Sequence, residues 1–210
     1  MEKQTVEFPL AMREYLKGKD LVEVVDNHRS GDKVYQVDDT YILKMSENVE
    51  RLRREMALND YLRGRLPVSE TVAFAEEEER AFYLKTMLRG DSLADKKNLQ
   101  DPRKLVELLV KAVHMFHGVD GSDCPIKCPD SQGSCFVHGD FCLPNILVWN
   151  GEISGFIDTE AGGLGDPWID YAWCIWSLEY NLGTDEYTPL LLEGIGIEFD
   201  KEKFEYYTRL

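Results

Sequence analysis

From Leu21 onward, short runs of residues alternate between apolar and polar positions. Three such runs, LVEVVDN, KVYQVDD and TYILKMS, are separated by the turn-forming segments HRSGDK and DDT. A period of two places one face of each strand against a core and the other towards solvent. The pattern therefore predicts three strands in an antiparallel meander.

The next segment changes to helical periodicity. Ser46 is a candidate cap for a helix from about residue 47 to residue 64, and its apolar positions fall on or near one face. These positions are Leu52, Met56, Leu58 and Leu62. Two further strand-like runs, ETVAFA and AFYLKTML, flank an acidic turn at residues 76–79, which we interpret as a solvated loop tip.

After the segment RGDSL the pattern is mainly helical. Asp101 and Pro102 predict the start of a long buried helix, because proline is favoured inside a first turn. Further on, Asn150-Gly151 lies between two apolar runs, which predicts a hairpin, and the segment WIDYAWCIWSLEYNL begins a helical tail. We predict an α+β protein with an N-terminal antiparallel sheet lobe (1–87), containing one helix, and a mainly helical C-terminal lobe (88–210).

Composition narrows the class of partner. The chain of 210 residues is 43% hydrophobic and has a formal net charge of -15, which disfavours nucleic acid and favours a small cationic ligand. It has no apolar run of about 18 residues, and its start, MEKQTVEFPL, does not resemble a signal peptide. We therefore expect a cytoplasmic protein without a membrane partner, as a monomer or weak dimer.

Four of the five cysteines cluster around His138, so a zinc site must be considered. The cysteines of this cluster are Cys124, Cys128, Cys135 and Cys142. Their spacing contains no C-x2-C pair, and an odd number of cysteines does not fit a closed disulfide framework. We interpret them as small hydrophobic side chains.

The segment HGDFCLPN, residues 138–145, places Asp140 and Asn145 five positions apart in a stretch that is too irregular for a helix. Such side chains converge only across a loop, since residues three or four apart are the neighbours on a helix. The predicted hairpin that follows would return the chain so that Asp158 faces Asn145. An amide oxygen and a carboxylate suit Mg²⁺, and Asp140 would be free to accept a proton from a hydroxyl.

The order H-x-D-x4-N followed by I-D resembles the catalytic loop and metal-binding aspartate of protein kinases. The segments FVHGDFCLPNILV and GFIDTEAGGLGDPWIDYAW are more similar to those of aminoglycoside phosphotransferases, in particular the enzymes that act on a 3'-hydroxyl. The resemblance extends upstream through YILKM, RGDSL and HMFHGVDGSDCP. It implies a bilobal protein-kinase-like fold, ATP or GTP with Mg²⁺, and phosphorylation of an antibiotic hydroxyl.

The resemblance implies a role for each matching residue. Asp140 would be the catalytic aspartate, Asn145 and Asp158 the metal ligands, and Lys44 the lysine that holds the α and β phosphates. Glu55 would be the ion-pair partner of Lys44, with Glu50 as the alternative. The remaining nucleotide contacts would come from Ser30 and Gly31 in a phosphate-covering loop, Ile42 against the purine, and backbone groups from Thr86 to Leu88.

Other residues of these segments have structural roles in this interpretation. We expect His138 to brace the loop rather than act as a base. Asp166 and Asp170 would cap and brace the same loop. His114 and His117 of the long helix are expected to be core or surface residues.

The chain departs from this family at the acceptor side. Tyr180 and Asn181 fall where relatives carry acidic residues that hold the antibiotic. Only residues 126–137 separate Pro125 from His138, where relatives have an acidic helical insertion. The last residues, FEYYTRL, have the pattern expected in the middle of a helix. We expect the 210 residues to be part of a longer chain with a mobile acceptor segment.

The sequence leaves two alternatives to an aminoglycoside kinase. One is a kinase for another hydroxylated molecule, such as a macrolide, choline or a sugar amine, and the other is a catalytically idle nucleotide-binding protein.

Overall fold

The computed structural model describes residues 8–24, 32–77 and 79–209. The helices in this part of the chain are α1 (Leu10–Leu16), α2 (Val49–Leu62), α3 (Lys96–Leu99), α4 (Pro102–His117), α5 (Trp168–Leu182), α6 (Thr188–Ile195) and α7 (Lys201–Tyr207). The strands are β1 (Leu21–Glu23), β2 (Lys33–Val37), β3 (Tyr41–Ser46), β4 (Thr71–Glu77), β5 (Arg80–Thr86), β6 (Asp91–Ser92), β7 (Cys135–Val137), β8 (Ile146–Trp149), β9 (Glu152–Phe156) and β10 (Gly163–Gly165).

The chain forms two compact units. The first contains Met1–Asp60 and Ser69–Met87, and the second contains Tyr61–Val68 and Leu88–Leu210. Residues 61–68 belong to the second unit, whereas we predicted a first domain that spans residues 1–87. The predicted boundary remains a proposal.

The first unit is built on a five-stranded antiparallel sheet with the order β1-β2-β3-β5-β4. The predicted meander of the first three strands is confirmed. Helix α2 follows β3, and its first turn is capped by Asn48, whose Oδ1 accepts a hydrogen bond from the Arg51 N–H at 3.1 Å. The prediction of Ser46 as the cap is wrong because Ser46 is the last residue of β3, where it pairs with Ala81.

A second helix in this unit, α1, was not predicted. Its buried residues Met12 and Leu16 pack in one cluster with Val37, Leu43 and Leu84 of the sheet. Seven residues span only two turns, so two apolar positions four residues apart are too short a pattern to indicate a helix. The helix therefore depends on the sheet face that it covers.

The second unit is mainly helical and encloses an aromatic core. Phe116 of α4 packs against three buried aromatic rings at centroid distances of 5.1–5.7 Å. These rings belong to Phe136, Phe141 and Phe156. Because Phe141 lies within the segment HGDFCLPN, this core also fixes the position of that loop.

The predicted hairpin is confirmed. Strands β8 and β9 pair in antiparallel fashion, and Asn150 and Gly151 both have positive φ values, 52° and 80°. This is the backbone conformation of a type I' turn, whose twist matches that of the flanking strands. No helix within the described ranges is long and apolar enough to cross a membrane.

Helix α4 begins where its sequence predicts. Asp101 accepts a hydrogen bond from the Lys104 N–H at 3.1 Å, and Pro102 occupies the first turn. Asp95 precedes α3 in the equivalent position, but its side chain makes no capping bond.

We expect Asp101→Ala to lower the free energy of unfolding by about 1 kcal/mol, because it leaves a helix N–H without its partner. Asp95→Ala is the matched control and should change stability by less than about 0.5 kcal/mol. Urea unfolding followed by circular dichroism measures both values. Equal effects of the two substitutions would contradict the capping assignment.

Candidate active site

Asp140 and Asn145 are held together by the side chain of Asn145. Its Nδ2 donates to the Asp140 backbone oxygen and to Asp140 Oδ2, each at 2.9 Å. The segment between them ends in a short 3-10 turn, Leu143–Asn145, which brings the two residues side by side. With both amide protons directed at Asp140, Asn145 presents its Oδ1 on the opposite side as a neutral oxygen ligand.

The β8–β9 hairpin brings Asp158 back to Asn145. The N–H of Ile157, the residue before Asp158, donates to the Asn145 backbone oxygen at 3.0 Å. Asp158 has φ 58° and ψ 51°, a left-handed conformation that is unfavourable for a residue other than glycine. Backbone strain of this kind is concentrated at functional sites.

One acidic neighbour of Asp158 was missed by the sequence analysis. A carboxylate oxygen of Glu160 and one of Asp158 lie within 4.8 Å of each other. The sequence indicates this pair only through two acidic residues, two positions apart, in the segment IDTEAG. Such pairs are common in surface turns, so the pattern did not single out Glu160.

His138 is fully buried and braces the loop, as expected. Its Nε2 lies 2.9 Å from the Ile157 backbone oxygen, and its Nδ1 accepts from the Asp140 N–H at 3.3 Å. These contacts require the proton to be on Nε2. Since both ring nitrogens are occupied by backbone groups, neither is available as a general base.

A buried carboxylate, Asp170, holds the loop from the other side. Its oxygens accept from the His138 N–H at 2.9 Å and the Gly139 N–H at 2.8 Å. A third contact, 2.8 Å long, comes from Nε2 of His117. The bracing role expected for Asp170 is confirmed, whereas the role of His117 was not predicted, because one histidine on a helix gives no indication of its partner.

Gly139 is required by two independent constraints. Its φ is 82°, and a Cβ at this position would overlap the backbone oxygen of Ala161. Any other residue would therefore be both strained and sterically blocked. The glycine next to Asp140 allows the loop to approach the turn at residues 159–161.

In the first unit, Lys44 and Glu55 form a buried ion pair. Lys44 Nζ lies 2.8 Å from Glu55 Oε2, and the exposed fractions of the two residues are 6% and 0%. The alternative, Glu50, is paired instead with Arg53. A second lysine, Lys85 of β5, also contacts Glu55 and was missed by the sequence analysis.

Two of the other predicted nucleotide contacts, Ile42 and Thr86, are strand residues of the sheet. Ile42 pairs across the strands with Lys85. The Thr86 N–H donates to the Glu70 backbone oxygen at 2.9 Å, so this N–H is already used within the sheet. Leu88 belongs to the second unit, where its side chain fills the space that a Cβ on Gly155 of β9 would need. Ser30 and Gly31 fall outside the described residues.

The cysteines are buried or half-buried thiols. Burial raises the pKa of Cys135 to about 11. The pKa of Cys142 is also raised, first by burial and then by the nearby carboxylate of Asp140. Both thiols therefore stay protonated near neutral pH and are poor nucleophiles.

The sequence that contains the loop, the hairpin and the ion pair matches one family of enzymes. A family model described as a phosphotransferase enzyme family matches residues 22–128 and 126–207. The chain belongs to this family. The two matched segments of the phosphotransferase overlap at residues 126–128. This overlap lies at the start of the short connection between Pro125 and His138.

Curated relatives support the same assignment. The phosphotransferase is 24% identical to a probable aminoglycoside 3'-phosphotransferase of Lactococcus lactis, over 93% of this chain and 92% of the relative. It is 29% identical to an aminoglycoside 3'-phosphotransferase of Niallia circulans, over 86% of this chain and 88% of the relative. The first alignment spans 241 positions, more than the 210 residues of the chain, so the relative contains residues without a counterpart here.

Solved structures confirm the predicted protein-kinase-like fold. An aminoglycoside-3'-phosphotransferase of type VIII has a TM-score of 0.80 at 18% identity and covers 94% of each chain. An aminoglycoside phosphotransferase of Streptomyces rimosus, in complex with ADP and streptomycin, has a TM-score of 0.73 at 19% identity and covers 87% of this chain and 92% of its own.

Two aspartates in the segment GDPWID allow a direct test of the loop anchor. Asp170→Ala leaves two buried N–H groups and His117 without their acceptor, so we expect the free energy of unfolding to fall by about 3 kcal/mol or more. Asp166 pairs with the partly exposed Lys203 and caps Trp168. Asp166→Ala should therefore lower the free energy of unfolding by only about 1 kcal/mol.

Urea unfolding and backbone amide exchange measure this difference. In a chain with Asp170→Asn, which keeps the side-chain volume, the amides of residues 138 and 139 should exchange faster than in the unsubstituted chain. Similar losses of stability for the two alanine variants would contradict the anchoring role of Asp170.

Proposed function

We propose that this phosphotransferase transfers the γ-phosphoryl group of ATP or GTP to a hydroxyl group of an aminoglycoside, with the 3'-hydroxyl as the favoured position. The observation that carries the proposal is the constrained carboxylate of Asp140, bonded to Asn145 and attached to a loop that Asp170 holds by two backbone N–H groups. The names of its curated relatives support the acceptor class.

In this proposal Asp140 acts as the base. One of its oxygens accepts from Asn145, and the carboxylate would accept a hydrogen bond from the acceptor hydroxyl. The hydroxyl oxygen forms a bond to the γ-phosphorus as the bond from that phosphorus to the β–γ bridging oxygen breaks, and the hydroxyl proton passes to Asp140. Positioning and charge neutralisation supply most of the rate in such reactions, so a loop fixed by several hydrogen bonds suits the chemistry.

The donor set around Asp140 fits Mg²⁺. Asn145 contributes an amide oxygen and Asp158 a carboxylate, and Glu160 adds a second carboxylate within 4.8 Å of that of Asp158. Hard oxygen ligands of this kind, completed by phosphate and water, are those that Mg²⁺ prefers. When bound, the ion would neutralise charge on the phosphates.

The first unit contributes the phosphate contacts. Lys44 is buried and its ammonium is fixed by Glu55, so it is preorganised to donate to the α and β phosphates. Ile42, Thr86 and Leu88 would contact the base, and Ser30 and Gly31 would cover the phosphates.

The acceptor side supports a second candidate, a kinase for a different hydroxylated molecule. Tyr180 has an exposed fraction of 72% and stacks on Trp176 at a centroid distance of 5.1 Å. Tyr180 is one of the two positions at which we expect relatives to carry acidic residues. Exposed aromatic rings favour the apolar face of a ligand, whereas carboxylates favour its amines.

A panel of acceptors distinguishes the two candidates. With ATP and with GTP as the donor, release of ADP or GDP should be stimulated by aminoglycosides that have a 3'-hydroxyl and not by their 3'-deoxy counterparts. Mass spectrometry locates the phosphate on the product. Stimulation only by macrolides, choline or sugar amines would support the second candidate, and no stimulation by any acceptor would contradict both.

Asp140→Asn should lower kcat by at least about a thousandfold, because the amide cannot accept the proton, while nucleotide affinity stays within about twofold. Asp95→Asn, an exposed substitution in the same unit, is the control and should leave both values unchanged. Turnover of the Asp140 variant close to that of the control would exclude Asp140 as the base.

Asp158→Ala should remove the Mg²⁺-dependent part of nucleotide affinity. Titration calorimetry with and without Mg²⁺ measures this part, and we expect the two affinities of the variant to converge because a carboxylate ligand is lost. A variant whose affinity still rises with Mg²⁺ as in the unsubstituted chain would rule out Asp158 as a ligand.

A further inference from the structure

Glu55 has a second buried lysine as a partner. Lys44 Nζ contacts Oε2 of Glu55, and Lys85 Nζ contacts the other oxygen, Oε1. Lys85 is 2% exposed, as buried as the residues of the core. The mechanism described above uses Lys44 and Glu55 but gives no role to Lys85.

The register of the sheet places both lysines on one face. Lys44 of β3 pairs with Tyr83 of β5, and Ile42 pairs with Lys85. Cross-strand partners and residues two apart share a face of a sheet, so these four residues project in the same direction. Lys85 therefore lies on the face from which Lys44 would reach the phosphates.

Lys44 and Lys85 share one carboxylate. Two ammonium groups and one carboxylate carry a net charge of +1 when these three side chains are counted by themselves. Burying a lysine is costly unless it is paired, and one carboxylate is shared here between two lysines. If Lys44 were the sole partner of Glu55, the pair would be neutral and its attraction for an anion would be weaker.

We propose that Lys85 is a positioning residue for nucleotide binding, which keeps Glu55 neutralised so that the charge of Lys44 is available to the phosphates. When Lys44 donates a hydrogen bond to a phosphate oxygen, Lys85 remains ion-paired with the buried carboxylate of Glu55. The inference rests on the proposed function, in which Lys44 contacts the α and β phosphates.

The test compares ligands that differ in the number of phosphates. Lys85→Met keeps an unbranched side chain, shorter by the nitrogen atom, and removes the charge. Calorimetry with the nucleoside, monophosphate, diphosphate and triphosphate, in the adenosine and guanosine series, should show unchanged nucleoside affinity. The loss of affinity caused by the substitution should increase with the number of phosphates, to roughly tenfold or more for the triphosphate.

Two controls separate charge sharing from other effects. Lys33→Met removes one positive charge from an exposed position of the same sheet and should change no affinity in the series. Lys85→Arg retains the charge and should recover most of the triphosphate affinity. A purely structural role of Lys85 would instead weaken nucleoside and triphosphate binding equally.

Lys44→Met separates failure of this inference from failure of the proposed function. If Lys44→Met leaves triphosphate affinity unchanged, the proposed nucleotide site is wrong. If Lys44→Met weakens triphosphate binding and Lys85→Met does not, or weakens all four ligands equally, the role proposed for Lys85 is wrong.

A double variant keeps the test valid if Lys85→Met does not fold. Glu55→Gln combined with Lys85→Met removes the carboxylate together with one lysine and restores a net charge of +1. We expect its triphosphate affinity to lie within about threefold of that of the unsubstituted chain. A loss of tenfold or more in the folded double variant would overturn charge sharing.

Discussion

The arrangement of the second unit depends on one buried carboxylate. Asp170 is fully buried and accepts hydrogen bonds from two consecutive backbone N–H groups and from His117. A buried charge is tolerated only when its hydrogen-bonding capacity is used, so the carboxylate and the loop stabilise each other. This constraint fixes the backbone on the N-terminal side of Asp140, and Asn145 fixes its side chain.

The hairpin supplies the second support of the same loop. Its turn is closed by Asn150 and Gly151, and its strands return the chain so that Ile157 bonds both Asn145 and His138. A short local element with a strong turn signal thereby positions Asp158 relative to Asn145. The strained backbone of Asp158 is maintained because the residues on either side of it are fixed.

The two units use buried charge in different ways. In the second unit one carboxylate accepts from neutral backbone groups, which makes the loop rigid. In the first unit one carboxylate is shared by two lysines, which places two ammonium groups on one face of the sheet. Rigid positioning suits the base that we propose for this loop, and paired lysines suit the phosphate contacts that we propose for the first unit.

The sequence by itself determined the elements whose signals are local: the strands of the meander, the cap at Asp101, the Asn150-Gly151 turn and the H-x-D-x4-N spacing. These depend on side-chain periodicity and on the backbone preferences of a few adjacent residues. The structure alone decided that Lys85 also pairs with Glu55 and that His117 contacts Asp170. Lys85 and His117 are 30 and 53 residues away from the carboxylates that they contact. Such pairs form only when strands and helices pack in a particular register, and no pattern along the chain records which buried charge will meet which, because pairing at that separation is set by the tertiary fold.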